Sequence, residues 1–307
     1  MLALALAIDA ALGEPDAIWK RIPHPVVLMG RLVEMLEEGL NQGDFRWLKG
    51  VVAVIVLVAA TGAPALFLSI DLFGGLFEVL VAAILLAQKS LVQHVSAVAE
   101  GLKRSLEEGR AAVAQIVGRD TDDLDADGVA RAAVESAAEN FSDGVVAPAF
   151  WFLLLGLPGI VVYKAVNTAD SMIGHKTERY RAFGWAAARL DDALNWVPAR
   201  IAGAILCVAG TGRPAMEVML RDAWLHRSPN AGWPEAAMAA SLGVALAGPR
   251  AYGGTLTDDP YLNHGGRQAM DRRDITAAVR LLWRGWAVLV GVAAGLWLLA
   301  WLWSLVF

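Results

Sequence analysis

The uncharged run from Val51 to Ile70 constrains this chain more than any other feature. At helical rise, about twenty residues match the roughly 30 Å hydrocarbon core of a bilayer. A backbone in that solvent must satisfy its own N–H and C=O groups, so a helix is the expected form. Trp286 to Phe307 is a second run without charge, and Leu76 to Leu91 is a third, with Glu78 near one end and Lys89 near the other. With 57% hydrophobic residues and a mean hydropathy of +0.48, the chain carries more apolar surface than one soluble core needs. The expected class is all-α: a polytopic integral membrane protein of one domain spanning residues 1–307. Its spans lie near 51–70, 76–91 and 286–307, with shorter membrane segments near 2–12, 145–162, 201–209 and 236–247.

Charge sets the expected orientation. Arg46 and Lys49 precede the first run, the turn from Asp71 to Gly75 has no Lys or Arg, and nothing basic follows Arg284. The positive-inside rule then places residues of about 92–284 in the cytoplasm and the C-terminus outside. The 26 basic and 31 acidic residues form no basic tract, so no nucleic-acid partner is expected. The single cysteine, Cys207, sits in an apolar run and reads as a small buried hydrophobe. The first twelve residues contain Asp9 and lack a basic start, which argues against a cleaved signal peptide and for a short membrane or interfacial helix.

The stretch 145–162 contains Gly156, Leu157, Pro158 and Gly159 near its middle, a combination that breaks helices and favours a turn. A straight span stays open, but two half-helices meeting there, a re-entrant arrangement, suit the polar motifs on both sides better. Residues 92–140 read as a polar, Ala-rich helical region broken at Gly118 to Asp127. Asp123, Asp125 and Asp127 imitate the start of a calcium loop, yet the twelfth position is Val134, and an N-capping turn before a helix near Gly128 is the better reading.

Three constellations could carry chemistry on the cytoplasmic side. A helix would stack Glu135, Glu139 and Asp143 in one column, and magnesium is the natural ion to join such carboxylates, against the plainer reading of a solvated acidic face. Continued helix from Tyr163 would bring Lys164, Thr168, Ser171 and His175 into one sector, flanked by Asn167 and Asp170, a mixture suited to phosphate binding and proton handling. In the third, Asp191 and Asn195 lie one turn apart and Arg189 can reach Asp192. That pattern is also used by magnesium-dependent membrane prenyltransferases, although an ion-paired helix explains it equally well. Two stiff loops, around His24 and from Arg227 to Glu235, complete the inventory.

Taken in order, these segments resemble the CobD/CbiB family, the adenosylcobinamide-phosphate synthases. The resemblance runs from Asp9 with Gly13, Glu14 and Pro15, through His24 to Gly30 and Gly118 to Thr121. It continues in Ala133 to Ser136, Glu139 and Asn140, and Asp143 to Pro148. Its most specific block is Tyr163 to Met172 with Gly174 and His175, followed by Arg189 to Asp192, Pro198 to Arg200, Ser228 to Asn230 and Gly232 to Glu235.

The resemblance implies an inner-membrane enzyme that uses ATP and magnesium to join adenosylcobyric acid to (R)-1-aminopropan-2-ol or its O-phosphate. It implies Glu135, Glu139, Asp143 and Asp170 as magnesium ligands, and His175, Lys164, Asp191 and Asp192 as catalytic groups. His24, Arg119, Asn167, Thr168, Ser171, Arg200, Ser228 and Asn230 would contact substrate or phosphate. Besides the bilayer, other late cobalamin-pathway membrane enzymes are the expected partners. No P-loop is present, so the mode of ATP binding is not legible. A corrinoid carrier or transporter stays open as a different class, though the chain shows no paired inverted repeat.

Overall fold

The computed structural model describes residues 1–15, 19–70, 75–118, 120–252, 255–257 and 259–306. Asp71 to Gly74, most of the first expected external turn, and Arg119 lie outside them. Helices dominate: α1 (Leu2–Leu12), α2 (Pro25–Leu40), α3 (Arg46–Leu68), α4 (Leu76–Leu85), α5 (Gln88–Arg104), α6 (Leu106–Val113) and α7 (Ala126–Phe141). A π-helical turn, Ser142–Val146, leads into α8 (Ala147–Ile173), followed by α9 (Trp185–Ala209), α10 (Arg213–Asp222), α11 (Gly232–Leu242) and α12 (Arg272–Val306). The short strands β1 (Leu246–Ala247) and β4 (Tyr261–Leu262) pair antiparallel, as do β2 (Arg250–Tyr252) and β3 (Thr255–Thr257). Among the described residues, 5 helices are long and apolar enough to cross a membrane: Arg46–Leu68, Leu76–Arg104, Ala126–Ile173, Trp185–Ala209 and Arg272–Leu305. The chain is thus an all-α, polytopic membrane protein.

The helices sort into two compact units, Met1–Ala87 with Ala147–Trp196, and Gln88–Val146 with Val197–Phe307. In the first, α1 packs on α4, and α2, α3 and α4 pack on α8. Helix α1 buries Leu2, Ala5, Leu6 and Asp9, the 3-4 spacing of a single stripe. Helix α3 buries only Gly50, Ala53, Leu57 and Ala65, leaving Ile55, Leu66 and Phe67 exposed. Small residues on that stripe let backbones approach closely, and a Cβ on Gly50 would fall on the Phe183 carbonyl. The exposed apolar remainder suits contact with lipid.

Helix α8 is interrupted at Gly156, whose φ of 62° and ψ of −148° belong to a region that only glycine occupies comfortably. Past that point the chain turns back. A Cβ on Gly159 would fall on the carbonyl of Trp151, whereas eight residues of straight helix would hold the two about 12 Å apart. The Trp151 indole donates to the Leu194 carbonyl at 3.2 Å. Residues 147–173 are therefore two half-helices meeting at a reversal, as the Gly156 to Gly159 sequence led us to expect.

In the second unit α7 is the buried centre, packed by α5, α6, α11 and α12, with every residue from Ala132 to Ala138 buried. Its N-cap is Asp125, whose Oδ1 accepts from the Gly128 N–H at 2.8 Å, which is the capping turn read from the acidic stretch. Ser136 donates to the Ile116 carbonyl at 2.6 Å, and Arg131 to the Ala245 and Gln268 carbonyls at 2.8 and 2.6 Å. The expected segment near 236–247 forms α11, buried from Gly232 to Ala239, and the start of the β1–β4 pair. Helix α12 buries Ile275, Ala278, Leu281 and Leu282, but beyond Ala293 its apolar residues are exposed on every side.

Candidate active site

The last turns of α8 and the first turns of α9 hold a connected polar network in the first unit. Tyr163, only 1% exposed, donates its hydroxyl to Asn195 Oδ1 at 2.9 Å. Asn195 Nδ2 donates to Asp191 Oδ2 at 3.0 Å, and Asn167 Nδ2 donates to Asp191 Oδ1 at 3.3 Å. Both oxygens of a buried carboxylate thus accept amide hydrogens, which matters because an unsatisfied buried polar group costs about 1–3 kcal/mol. Asp170 stands near enough for its charge to act on Asp191. Asp192, on the next position of α9, pairs with Arg189 at 3.7 Å. The one-turn spacing of Asp191 and Asn195 was legible; Tyr163 as their anchor was not.

Other members of the expected sector behave differently. Thr168 and Ser171 donate their hydroxyls to the carbonyls one turn back, of Lys164 at 2.7 Å and Asn167 at 2.9 Å. Those protons are engaged by the helix itself, so toward a ligand these hydroxyls act as acceptors. The helix stops at Ile173: the Gly174 N–H caps the Asp170 carbonyl at 2.7 Å, and a Cβ on Gly174 would fall on the Asp170 carboxylate. His175 consequently leaves the sector of Lys164 and stands exposed in the loop 174–184. That loop is tethered by Arg179, which donates to Glu37 Oε1 and Oε2 at 2.9 and 2.7 Å, while Asn41 and Arg46 bond its carbonyl. The Arg179 guanidinium holds the Glu37 carboxyl below its ordinary range, against the opposing effect of burial.

His24 is the N-cap of α2. Its Nδ1 accepts the Val26 N–H at 3.2 Å, and its ring meets Trp19 edge-on at 4.5 Å. Burial pushes its pKa down and the Lys164 ammonium adds to that, while Glu14 and the Ile84 carbonyl act in the opposite sense. His24 Nε2 and Trp19 Nε1 are both buried and make no hydrogen bond among the described residues. Trp19 drew no notice in the sequence; only its place five residues before His24 could have suggested it.

The second unit holds the remaining expected residues. Glu135 is buried, and its Oε1 accepts the Ala247 N–H at 2.8 Å, pinning a residue at φ 58°. This is a structural use that the column reading did not foresee. Glu139 is exposed and Asp143 half-buried on the π-helical turn. Ser228 Oγ accepts the N–H groups of Asn230 and Ala231, both at 3.2 Å, so it organises the turn into α11, and Asn230 is buried. Arg200 lies over the rings of Trp233 and Trp224, at 4.5 and 5.8 Å. Among the described residues no three His, Cys, Asp or Glu side chains converge as a metal site, so the expected carboxylate column is not a closed cage. Magnesium seldom needs one, because one or two carboxylates plus substrate phosphates suffice.

Comparison with known proteins places this chain in a family. Residues 2–282 match the family described as CobD/Cbib protein. A "Cobalamin biosynthesis protein CobD" from Rhizobium meliloti (strain 1021) is 51% identical over 307 residues, covering 94% of each chain. Proteins of the same name from Brucella suis biovar 1 and Rhodobacter capsulatus are 47% and 48% identical, covering 95% and 97% of this chain and 94% and 98% of theirs. No solved structure matches.

Proposed function

On the premise that the chain belongs to the CobD/CbiB family of cobalamin biosynthesis proteins, we propose that it is an ATP-dependent ligase making the aminopropanol amide of a corrinoid acid. Adenosylcobyric acid would supply the carboxylate, and (R)-1-aminopropan-2-ol or its O-phosphate the amine. A carboxylate is a poor electrophile, so ATP would first transfer its terminal phosphoryl group to it, releasing ADP. The amine would then attack the acyl phosphate, form the C–N bond and expel phosphate, giving up a proton on the way.

The observation that carries this reading is the buried network of Tyr163, Asn195, Asn167 and Asp191 beside Asp170, on the helix bearing Lys164. Its donors hold Asp191 in one orientation, as a preorganised polar site requires. Asp170 and Asp191 would hold magnesium together with the phosphates of ATP; when bound, the ion neutralises phosphate charge. Lys164 would stabilise negative charge on the transferred phosphoryl group, with Asn167 close by. His175, in its tethered loop, would take the proton of the attacking ammonium, with Asp192 as the alternative. Exclusion of water from the acyl phosphate falls to the apolar helices around the network.

Purified protein in detergent should consume ATP only when the corrinoid acid and the amine are both present, with one amide formed per ADP. Removing magnesium with a chelator should stop turnover, and replenishing it should restore the rate. Amide formation without nucleotide, or ATP consumption indifferent to the amine, would remove the ligase reading.

A further inference from the structure

A groove runs along the last turns of α3, and its origin in the sequence is a proline. Pro64 stands inside that helix, where its ring crowds the turn that begins at Ala60, and Ala60 has only a methyl group to fill the space beside it. Ala60, Pro64 and Leu68 follow one another at intervals of one turn and are all exposed, so this edge of α3 forms an open rim. Behind the rim lies a cavity of about 430 Å³ within the first unit, walled further by Leu28 of α2, Phe77 of α4, and Leu157 and Val161 of α8. Its volume falls within the range of about 300–1,000 Å³ that ligand pockets occupy.

The chemistry of the lining excludes most occupants. Its one hydroxyl, on Thr61, donates to the Leu57 carbonyl at 2.8 Å, and among the described residues no charged or amide side chain borders the cavity. A nucleotide, a phosphate or an amide-bearing ring would give up its hydrogen bonds to water there and regain none from those side chains. A helix of a second copy, about 10 Å across, would need roughly twice the volume along the same track. Depth supplies the occupant. Helix α3 is long and apolar enough to span, and Ala60 to Leu68 lie about 21 to 33 Å along it from Arg46, a depth that belongs to one leaflet. Leu66 and Phe67, on the same turns, are exposed, so the groove is continuous with a surface suited to lipid. Water can leave an apolar void dry, whereas a hydrocarbon chain that enters it gains the dispersion contacts an empty wall lacks.

We propose that this groove binds one acyl chain of a membrane phospholipid, drawn from the leaflet at the Leu68 end of α3, with the headgroup left outside and unselected. The bound chain has a mechanical consequence. Leu157 and Val161 belong to the first turns of the half-helix that follows the reversal at Gly156 and carries Tyr163 and Asn167. The acyl chain therefore fills the space between that half-helix and helices α2 and α3, and buttresses the element on which the polar network stands. The site is independent of the ligase reading, and its test needs no turnover.

The full chain would be purified and delipidated in digitonin, a steroid detergent without an alkyl chain to occupy the groove. Phosphatidylcholine carrying a diazirine in one acyl chain would be titrated in at fixed detergent, photolysed, and its adducts mapped by peptide mass spectrometry. Labelling at Phe77 and Leu157 should saturate at a low mole fraction of lipid, while labelling at Ile55 and Phe67, on the open face, should rise in proportion to lipid. Ala60→Phe on α3 and Val81→Phe on α4 each place a ring in the cavity. Each should raise the lipid concentration for half-saturation by about tenfold or more, with labelling at Ile55 unchanged. The same lipid with a glycerol headgroup should saturate the groove at the same concentration. Groove labelling that never saturates in the wild type overturns the proposal whether or not the variants fold. So do folded variants that label like the wild type, or an affinity that follows the headgroup.

Discussion

Two amide side chains decide what can stand at position 191. Asn167 and Asn195 both turn an N–H₂ group toward it, at 3.3 and 3.0 Å, so the residue there must accept at both oxygens. Asp191→Asn changes few atoms in size, but it opposes one of those amides with another donor. The expected loss of stability is about 1–3 kcal/mol, and turnover should fall by a hundredfold or more if the carboxylate acts in the reaction. Tyr163→Phe, which removes only the 2.9 Å bond to Asn195, is the comparison: similar destabilisation with a smaller loss of turnover. Denaturant unfolding in detergent and steady-state kinetics read both effects. Wild-type turnover in Asp191→Asn would reduce the network to a packing device. At this scale the sequence was partly legible. The spacing of Asp191 and Asn195 survives folding because a helix preserves local intervals. The bond of Glu135 to the Ala247 N–H was not legible, because its partner lies 112 residues away and no local pattern encodes a contact of that range.

Elements were legible where glycine, proline or a cap marks them. Gly156 to Gly159 announced a break, and Gly156 supplies it with a φ of 62°. Gly156→Ala should destabilise the protein by about 1–3 kcal/mol, because the added Cβ opposes both that φ and its ψ of −148°. A thermal midpoint unchanged from wild type would mean that the reversal is not held at this residue. The end of α8 was less legible. The polar periodicity continues past Ile173 to His175, whereas the backbone stops at a cap between Gly174 and Asp170 that sequence spacing does not reveal. The loop beyond it depends on Arg179 and Glu37, and this pair carries a pH signature. Glu37 has its folded pKa lowered, first by the Arg179 hydrogen bond, from an ordinary value of 4.5. A lowered carboxyl pKa contributes stability that is complete above the unfolded value and disappears as pH falls through the folded one. Glu37→Gln should therefore be less stable than the wild type at neutral pH, with the difference vanishing below the folded pKa of Glu37. A difference that persists unchanged into strong acid would assign the effect to packing instead of charge.

For the whole molecule, apolar length and basic residues together give the expected topology. Among the described residues five helices meet the requirements of a span, and no basic residue follows Arg284. A reporter fused after residue 306 should be active outside the cell, and one inserted between residues 105 and 125 should be active in the cytoplasm. A cytoplasmic C-terminus would require redrawing the entire arrangement. The pattern of hydrophobicity made the membrane class plain, because the bilayer is a uniform solvent that selects length and polarity alone. The division into two compact units was not legible, since both are discontinuous in the chain and α9 passes from one to the other after Trp196.

The reversal inside α8 also bears on how the protein is made. Ala147 to Leu155 extends for about 13 Å, less than half of a bilayer core, so this half-helix cannot be delivered into lipid as a span by itself. The bare backbone at the bend would meet the same objection. Helices α3 and α4, which pack against α8, precede it in the chain and so leave the ribosome first. The order of synthesis thus provides the reversing segment with a sheltering wall before it arrives, and the same helices translated in another order would leave that segment exposed during assembly.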